Sequence, residues 1–193
     1  MDIKFFFNGI KNIFLDPAKV WELTGSENIT VKPVRNKHLI PLLLIASVSS
    51  FFGSFIFTNS EQSAVYSVFV AIECFVSLYF ATYLSALILK EITYPLDLGR
   101  DFNNSFRIIA YSITPFLICQ ILSNLFESLL FVNVIAFYGF YIFWVASEKL
   151  LNAPHYKKMP LLIATAIITI GIFIATSLLF TKLMDKAYFA FFA

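Results

Sequence analysis

Glu73 is the one acid set deep in a long apolar run, and Ser77, Ala81 and Ser85 follow it at four-residue spacing as a row of small and polar residues. About 9 residues of helix, or about 14 Å, separate it from the outer end of its run, which places it near the middle of a hydrocarbon layer about 30 Å thick. A carboxylate there must be protonated or turned toward a partner inside a helix bundle. Two roles stay open for it: handling a proton or cation, or a structural hydrogen bond to a nearby hydroxyl or to the Tyr111 carbonyl. Gln120 and Asn133, amides in two later runs, are candidate partners. The second constellation is Tyr111-Ser112-Ile113-Thr114-Pro115. Pro115 lacks an N–H and its ring clashes with the carbonyl four residues back, so it predicts a kink. The Tyr111 carbonyl then needs another partner, and the Ser112 and Thr114 hydroxyls are the nearest. It is expected to face the neighbouring helices.

Conventional catalysis finds little support. His38 and His155 flank apolar runs with no Cys, Asp or Glu at metal-ligand spacing, and they read as interfacial residues. There is no Gly-x-Ser-x-Gly, no phosphate-binding glycine loop and no pair of acids at one depth. No enzyme activity, metal or cofactor is expected. Cys74 and Cys119 both fall inside apolar runs, where cysteine is an ordinary small occupant. The net charge of +2 is spread along the chain, so no nucleic-acid patch forms.

The elements that must position these residues follow from composition. The chain has 193 residues, 59% of them hydrophobic and 13% charged, and 24 are Phe. That balance lies far from the about 25% charge of soluble domains and marks an integral membrane protein. The reading is an all-α protein with five transmembrane helices preceded by an N-terminal amphipathic, interfacial helical arm. The arm occupies residues 1–37, the membrane domain 38–182 and a short tail 183–193. Spans are expected at about 39–57, 64–89, 106–123, 127–147 and 160–181. Twelve of the fourteen Lys and Arg residues fall in the arm, in 90–107 or in 148–159, which predicts a cytoplasmic N-terminus and an external C-terminus. A stripe of Ala46, Ser49, Ser50, Gly53 and Ser54 on the first span is expected to pack against, or share a groove with, the Glu73 row.

Within the arm, Ile3, Phe6, Phe7, Ile10 and Phe14 share one helical face and Lys4, Asn8 and Lys11 the other. Such a helix either lies flat at the headgroup level or packs under the bundle. Asp16-Pro17 predicts a cap and a first-turn proline for a short helix that carries Trp21 and stops at Gly25. Trp21 is read with the membrane-interface residues.

From the third span onward the chain resembles the Yip (Ypt-interacting protein) domain family of five-span membrane proteins. The resemblance rests on Tyr111 followed four positions later by Pro115, on Ala136-Phe-Tyr-Gly-Phe-Tyr-Ile-Phe-Trp144, on Ala146-Ser147-Glu148-Lys149 and on Met159-Pro160. Asp16-Pro17 through Trp21 is similar to a stretch before the first span of bacterial members. The likeness implies the fold and a course from a cytoplasmic N-terminus to an external C-terminus. Eukaryotic members bind Rab-type GTPases through a longer N-terminal region with an Asp-Leu-Tyr-Gly-Pro-like motif that this chain lacks, so the resemblance is to a compact, bacterial-type member. The function expected is a non-enzymatic inner-membrane scaffold or adaptor, with a small channel or proton-coupled transporter using Glu73 as the alternative. Expected partners are the lipid bilayer and membrane or cytoplasmic proteins; a homo-oligomer stays open.

Overall fold

In lipid, backbone polar groups must be satisfied within the segment, so the apolar runs become helices. A computed structural model describes residues 3–25, 30–57 and 63–192, without the side chains of 3–8, 22–25, 63, 127, 128, 130, 191 and 192. Every regular element among the described residues is helical. Five stretches are long and apolar enough to cross a membrane: Val31–Phe57, Ala64–Thr93, Phe102–Leu125, Phe131–Leu151 and His155–Ala190. The protein is therefore the all-α, five-span membrane protein that its hydropathy implies.

Two helices, α1 (Ile3–Leu15) and α2 (Pro17–Gly25), form the arm. The first span comprises α3 (Val31–Val34), a π-helical turn (Arg35–Leu39) and α4 (Ile40–Phe57). The second is α5 (Ser63–Thr93), and the third is broken into α6 (Phe102–Ser112) and α7 (Thr114–Leu125). The fourth is a 3-10 helix (Glu127–Phe137) followed by α8 (Tyr138–Leu151), and the fifth is α9 (His155–Phe192).

Local chemistry explains the boundaries. The Asp16 carboxylate accepts the Lys19 N–H at 3.1 Å and Pro17 opens α2, as its cap sequence implies. Asp101 caps α6 by accepting from the Asn103 and Asn104 N–H groups. Asn152, in the left-handed region at φ 48°, closes α8, and the Ala153 N–H reaches back to the Ser147 carbonyl at 3.1 Å. Three boundaries differ from expectation. The first span begins at Val31, with a π turn before its apolar run. The segment 127–137 is 3-10 rather than α-helical, and it is interrupted at Leu129 (φ −95°, ψ 23°). Finally, α9 continues through Phe192, because no proline or glycine after Gly171 stops it.

The arm is part of the packed body. Ile13 and Trp21 are buried, while Lys11, Leu15, Asp16 and Lys19 are exposed. Phe14 stacks on Tyr138 at 5.6 Å, and the Tyr138 hydroxyl donates to the Phe14 carbonyl at 2.8 Å. Trp21, expected at the lipid interface, is only 1% exposed and meets the Tyr111 ring edge-on at 5.3 Å. This corrects its assignment: α2 packs under the bundle along α8, and the tryptophan belongs to the core. Ile10 and Phe14 are half-buried and Lys11 is exposed; the side chains of Lys4, Phe6 and Phe7 lie outside the described residues.

α5 is the central helix, with α4 and α9 packed along it. α4 packs along α5, with Ser67 donating to Ser54 at 3.1 Å, and Ser50, Glu73 and Ser77 line one cavity, so the α4 stripe and the Glu73 row share a groove. Two glycines mark closer approaches. A Cβ at Gly53 would lie 2.2 Å from the Asn124 carbonyl oxygen, and one at Gly139 would lie 2.3 Å from that of Ser112. At the corner between α8 and α9, Lys158 is buried, ion-pairs with Glu148 and lies over the Trp144 ring at 5.6 Å. Trp144 and Glu148, both quoted for the family likeness, thus share Lys158 as a partner.

Candidate functional site

Two polar constellations emerge, on either side of the break in the third span. The first is closed. His38, read from sequence as an interfacial residue, is instead buried on the π-helical turn, with its Nε2 2.9 Å from the Thr114 hydroxyl and its ring 4.6 Å from that of Tyr111. The Thr114 hydroxyl has one proton, which it donates to the Ala110 carbonyl at 3.2 Å. With that bond made, the matching tautomer carries its hydrogen on His38 Nε2, which then donates to Thr114; the tautomer is an assignment from this bonding pattern. Trp21, Tyr111, His38 and Thr114 form one chain of contacts from the arm to the break.

The break itself differs in detail from the expected kink. Ile113 leaves helical geometry at φ −81° and ψ −7°, and α7 restarts with Pro115 in its first turn, where a missing N–H costs least. The Ile113 N–H donates to the Ile109 carbonyl at 3.0 Å and is also directed at that of Tyr111. Neither expected hydroxyl serves the Tyr111 carbonyl. Thr114 turns to Ala110, and Ser112 Oγ is buried without a protein partner. Pro115 is buried rather than lipid-facing. It is the Ser112 carbonyl that is presented to the neighbouring helix, against Gly139.

The second constellation is a cavity of about 920 Å³ between α5, α7, the 3-10 segment, α8 and α9. Glu73, Ser77, Ser112, Gln120 and Asn133 all line it, whereas Tyr111, Thr114 and Pro115 do not. Five of the eight intramembrane candidates thus share one space and the other three belong to the packed side of the break. Glu73 is half-buried, and its Oε1 accepts from the Thr181 hydroxyl at 3.3 Å. The expected partners are not used: Gln120 Oε1 is buried without a protein partner, and Asn133 Oδ1 accepts from Ser123 at 3.5 Å. Lys182 follows Thr181 in the chain, so α9 brings charged residues to the level of the acid; the expected isolation of Glu73 in an apolar layer is corrected accordingly.

Sequence reasoning missed several further polar lining residues, Asn124 and Thr165 among them. Asn124 donates to Ser50 at 2.7 Å and ties the end of α7 to the serine stripe of α4. Thr165 on α9 is 4% exposed, and its hydroxyl has no protein partner. Both are ordinary polar residues at helix level, and only their packing singles them out. Phe116 and Phe173 meet edge-on at 5.6 Å across the same space. Among the described residues no three His, Cys, Asp or Glu side chains converge as metal ligands would.

No curated protein and no solved structure matches the chain. A sequence model of the Yip1 domain does, over residues 11–178, from the last turns of α1 into the second half of α9. That match covers most of the arm and all but the end of the five-span bundle, including the helix break, the Gly139 contact and the buried His38; the chain belongs to the Yip1 domain family.

Proposed function

We propose that this protein is a non-enzymatic scaffold or adaptor of the bacterial cytoplasmic membrane, with its N-terminus cytoplasmic and its C-terminus outside. The observation that carries the reading is the docked arm. α1 and α2 are held against the bundle by Ile13 and Trp21, so Lys11, Leu15, Asp16 and Lys19 stand in a fixed arrangement on the outer face. A rigidly mounted, mixed apolar and charged surface suits recognition of another protein or of headgroups better than a tethered tail does. The bias of Lys and Arg toward the arm and two connecting segments supports the orientation.

Deleting the arm would be a poor test, because it withdraws Trp21 from the core. A photo-crosslinking amino acid at Leu15, which is 71% exposed, is expected to capture a discrete protein partner in the native host. The double change Lys11→Glu and Lys19→Glu is expected to abolish the adduct while shifting stability by no more than about 0.5 kcal/mol, as surface substitutions do. Adducts that persist unchanged after charge reversal would count against an adaptor surface, and adducts that contain lipid alone would assign the surface to headgroups rather than to a protein.

One observation favours a second reading, a small channel or proton-coupled transporter: Glu73 lines a large intramembrane cavity. Under that reading Glu73→Gln retains the fold and abolishes flux in proteoliposomes. Wild-type flux equal to that of empty vesicles, across monovalent cations and pH gradients, would remove it.

A further inference from the structure

Glu73 is the one charged side chain in the wall of the cavity, and no Lys, Arg or His joins it there. The side chain is half-buried, and the bond that its Oε1 accepts comes from the neutral hydroxyl of Thr181, which brings no counter-charge. Lys182 is next to Thr181 in the chain but does not line the cavity. Asp185, one helical turn beyond Thr181 on α9, is the charge that acts on Glu73, and it is negative as well. A carboxylate at the edge of an apolar layer either takes up a proton or finds a positive partner.

The rest of the wall selects the kind of partner. Phe116, Phe137, Phe140, Phe143 and Phe173 all line the space, which makes it apolar and rich in aromatic rings. Ring faces attract cations, and more strongly where water is excluded. Calcium and magnesium are poorly served, because they take about six or more oxygen ligands, and among the described residues no three metal-ligating side chains converge. An anion would meet repulsion, and an uncharged guest would leave an ionised carboxylate uncompensated. The volume of about 920 Å³ stands at the upper end of the roughly 300–1,000 Å³ typical of small-molecule sites, so the space suits a large organic guest.

We propose that this cavity binds a lipophilic organic cation, an ammonium or phosphonium whose charge is met by Glu73 and whose apolar substituents lie among the phenylalanines. The proposal deepens the transport reading by naming a ligand class, and the two fail separately: absent flux removes transport alone, whereas absent binding removes the site.

The test is equilibrium dialysis of the full chain in detergent micelles against radiolabelled tetraphenylphosphonium, with protein-free micelles as the blank. Saturable binding is expected. Tetraphenylborate, which has nearly the same shape and the opposite charge, is dialysed separately and is expected to show none. Glu73→Gln removes the charge at nearly constant shape and still offers Thr181 an acceptor. It should weaken binding at least about tenfold, as losing one member of a buried charge pair does. Glu73→Asp keeps the charge and should retain more affinity than Glu73→Gln, with an unchanged melting temperature as the control for both. Saturable binding of tetraphenylborate as tight as that of tetraphenylphosphonium would overturn the assignment of a cation, a comparison that needs only the wild-type protein. No saturable binding of tetraphenylphosphonium, or equal affinity in a folded Glu73→Gln protein, would overturn the site itself.

Discussion

Trp21→Ala is expected to destabilise the protein by about 3–5 kcal/mol, the range for removing a fully buried large aromatic, and to release the arm before the bundle unfolds. The ring is 1% exposed and its edge meets Tyr111 at 5.3 Å, so truncation leaves a void between α2 and the third span. α2 has only nine residues, too few for a helix to persist without tertiary contacts. Limited trypsin digestion should therefore cut after Lys11 or Lys19 at least about tenfold faster than in the wild type, since cleavage follows the population of the open form. The five-span core should survive as a protected fragment. Trp21→Phe is a useful companion. Trp21 Nε1 has no protein partner, so phenylalanine forfeits contact area but no hydrogen bond, and the arm should stay largely protected. An arm no more sensitive to trypsin in Trp21→Ala than in the wild type would show that the docked arrangement does not hold in solution.

Gly139→Ala and Gly53→Ala form the second large expectation. In both cases the added Cβ would meet a backbone carbonyl oxygen, at 2.3 and 2.2 Å respectively, and not the movable end of a side chain. Relief requires α8 to move off the break in the third span, or α4 to move off the end of α7. Overpacking of this kind costs about 1–3 kcal/mol or more. Gly171 is the internal control: nothing lies within 4 Å of its Cβ position, and it is exposed on α9. Alanine there should be neutral or stabilising by up to about 1 kcal/mol, the helix-propensity gain. Reversible unfolding in mixed micelles would rank the three. A Gly139→Ala protein as stable as Gly171→Ala would exclude the close approach between α8 and Ser112.

How far these features were legible in the sequence depends on the range of the forces behind them. Five spans follow from apolar runs, the break at Ile113 follows from Pro115, and the start of α2 follows from Asp16-Pro17; each is a local effect. The facing of His38 is not local. A histidine at the polar edge of an apolar run looks interfacial until the π turn rotates it onto Thr114, 76 residues away. Asn124 and Thr165 carry no periodicity of their own, and their roles come from which helix end or gap they meet. The candidate cavity was half legible: Glu73, Ser77, Ser112, Gln120 and Asn133 stood out as polar residues in apolar runs, yet nothing in their spacing separates them from Tyr111, Thr114 and Pro115 on the packed side. The 3-10 segment was least accessible, because the eleven residues of Glu127–Phe137 have the same hydropathy whether they rise by about 1.5 or by about 2.0 Å.

The length of α9 bears on the membrane the protein suits. Its uncharged stretch, 159–181, is bounded by Lys158 on one side and Lys182 on the other, and from Leu161 to Thr181 it measures about 30 Å at 1.5 Å per residue. Ile163, Ile167, Ile170, Ile174 and Leu178 are exposed along it, a stripe that lipid chains must cover. Hydrocarbon of that thickness meets the stripe end to end. In a thinner bilayer the helix must tilt or the lipids stretch, at a fraction of a kcal/mol per Å of hydrophobic mismatch. Because α9 packs along α5 and not against α7 over most of its length, that tilt would widen or narrow the gap beside Phe116 and Phe173, making the opening of the cavity responsive to membrane thickness.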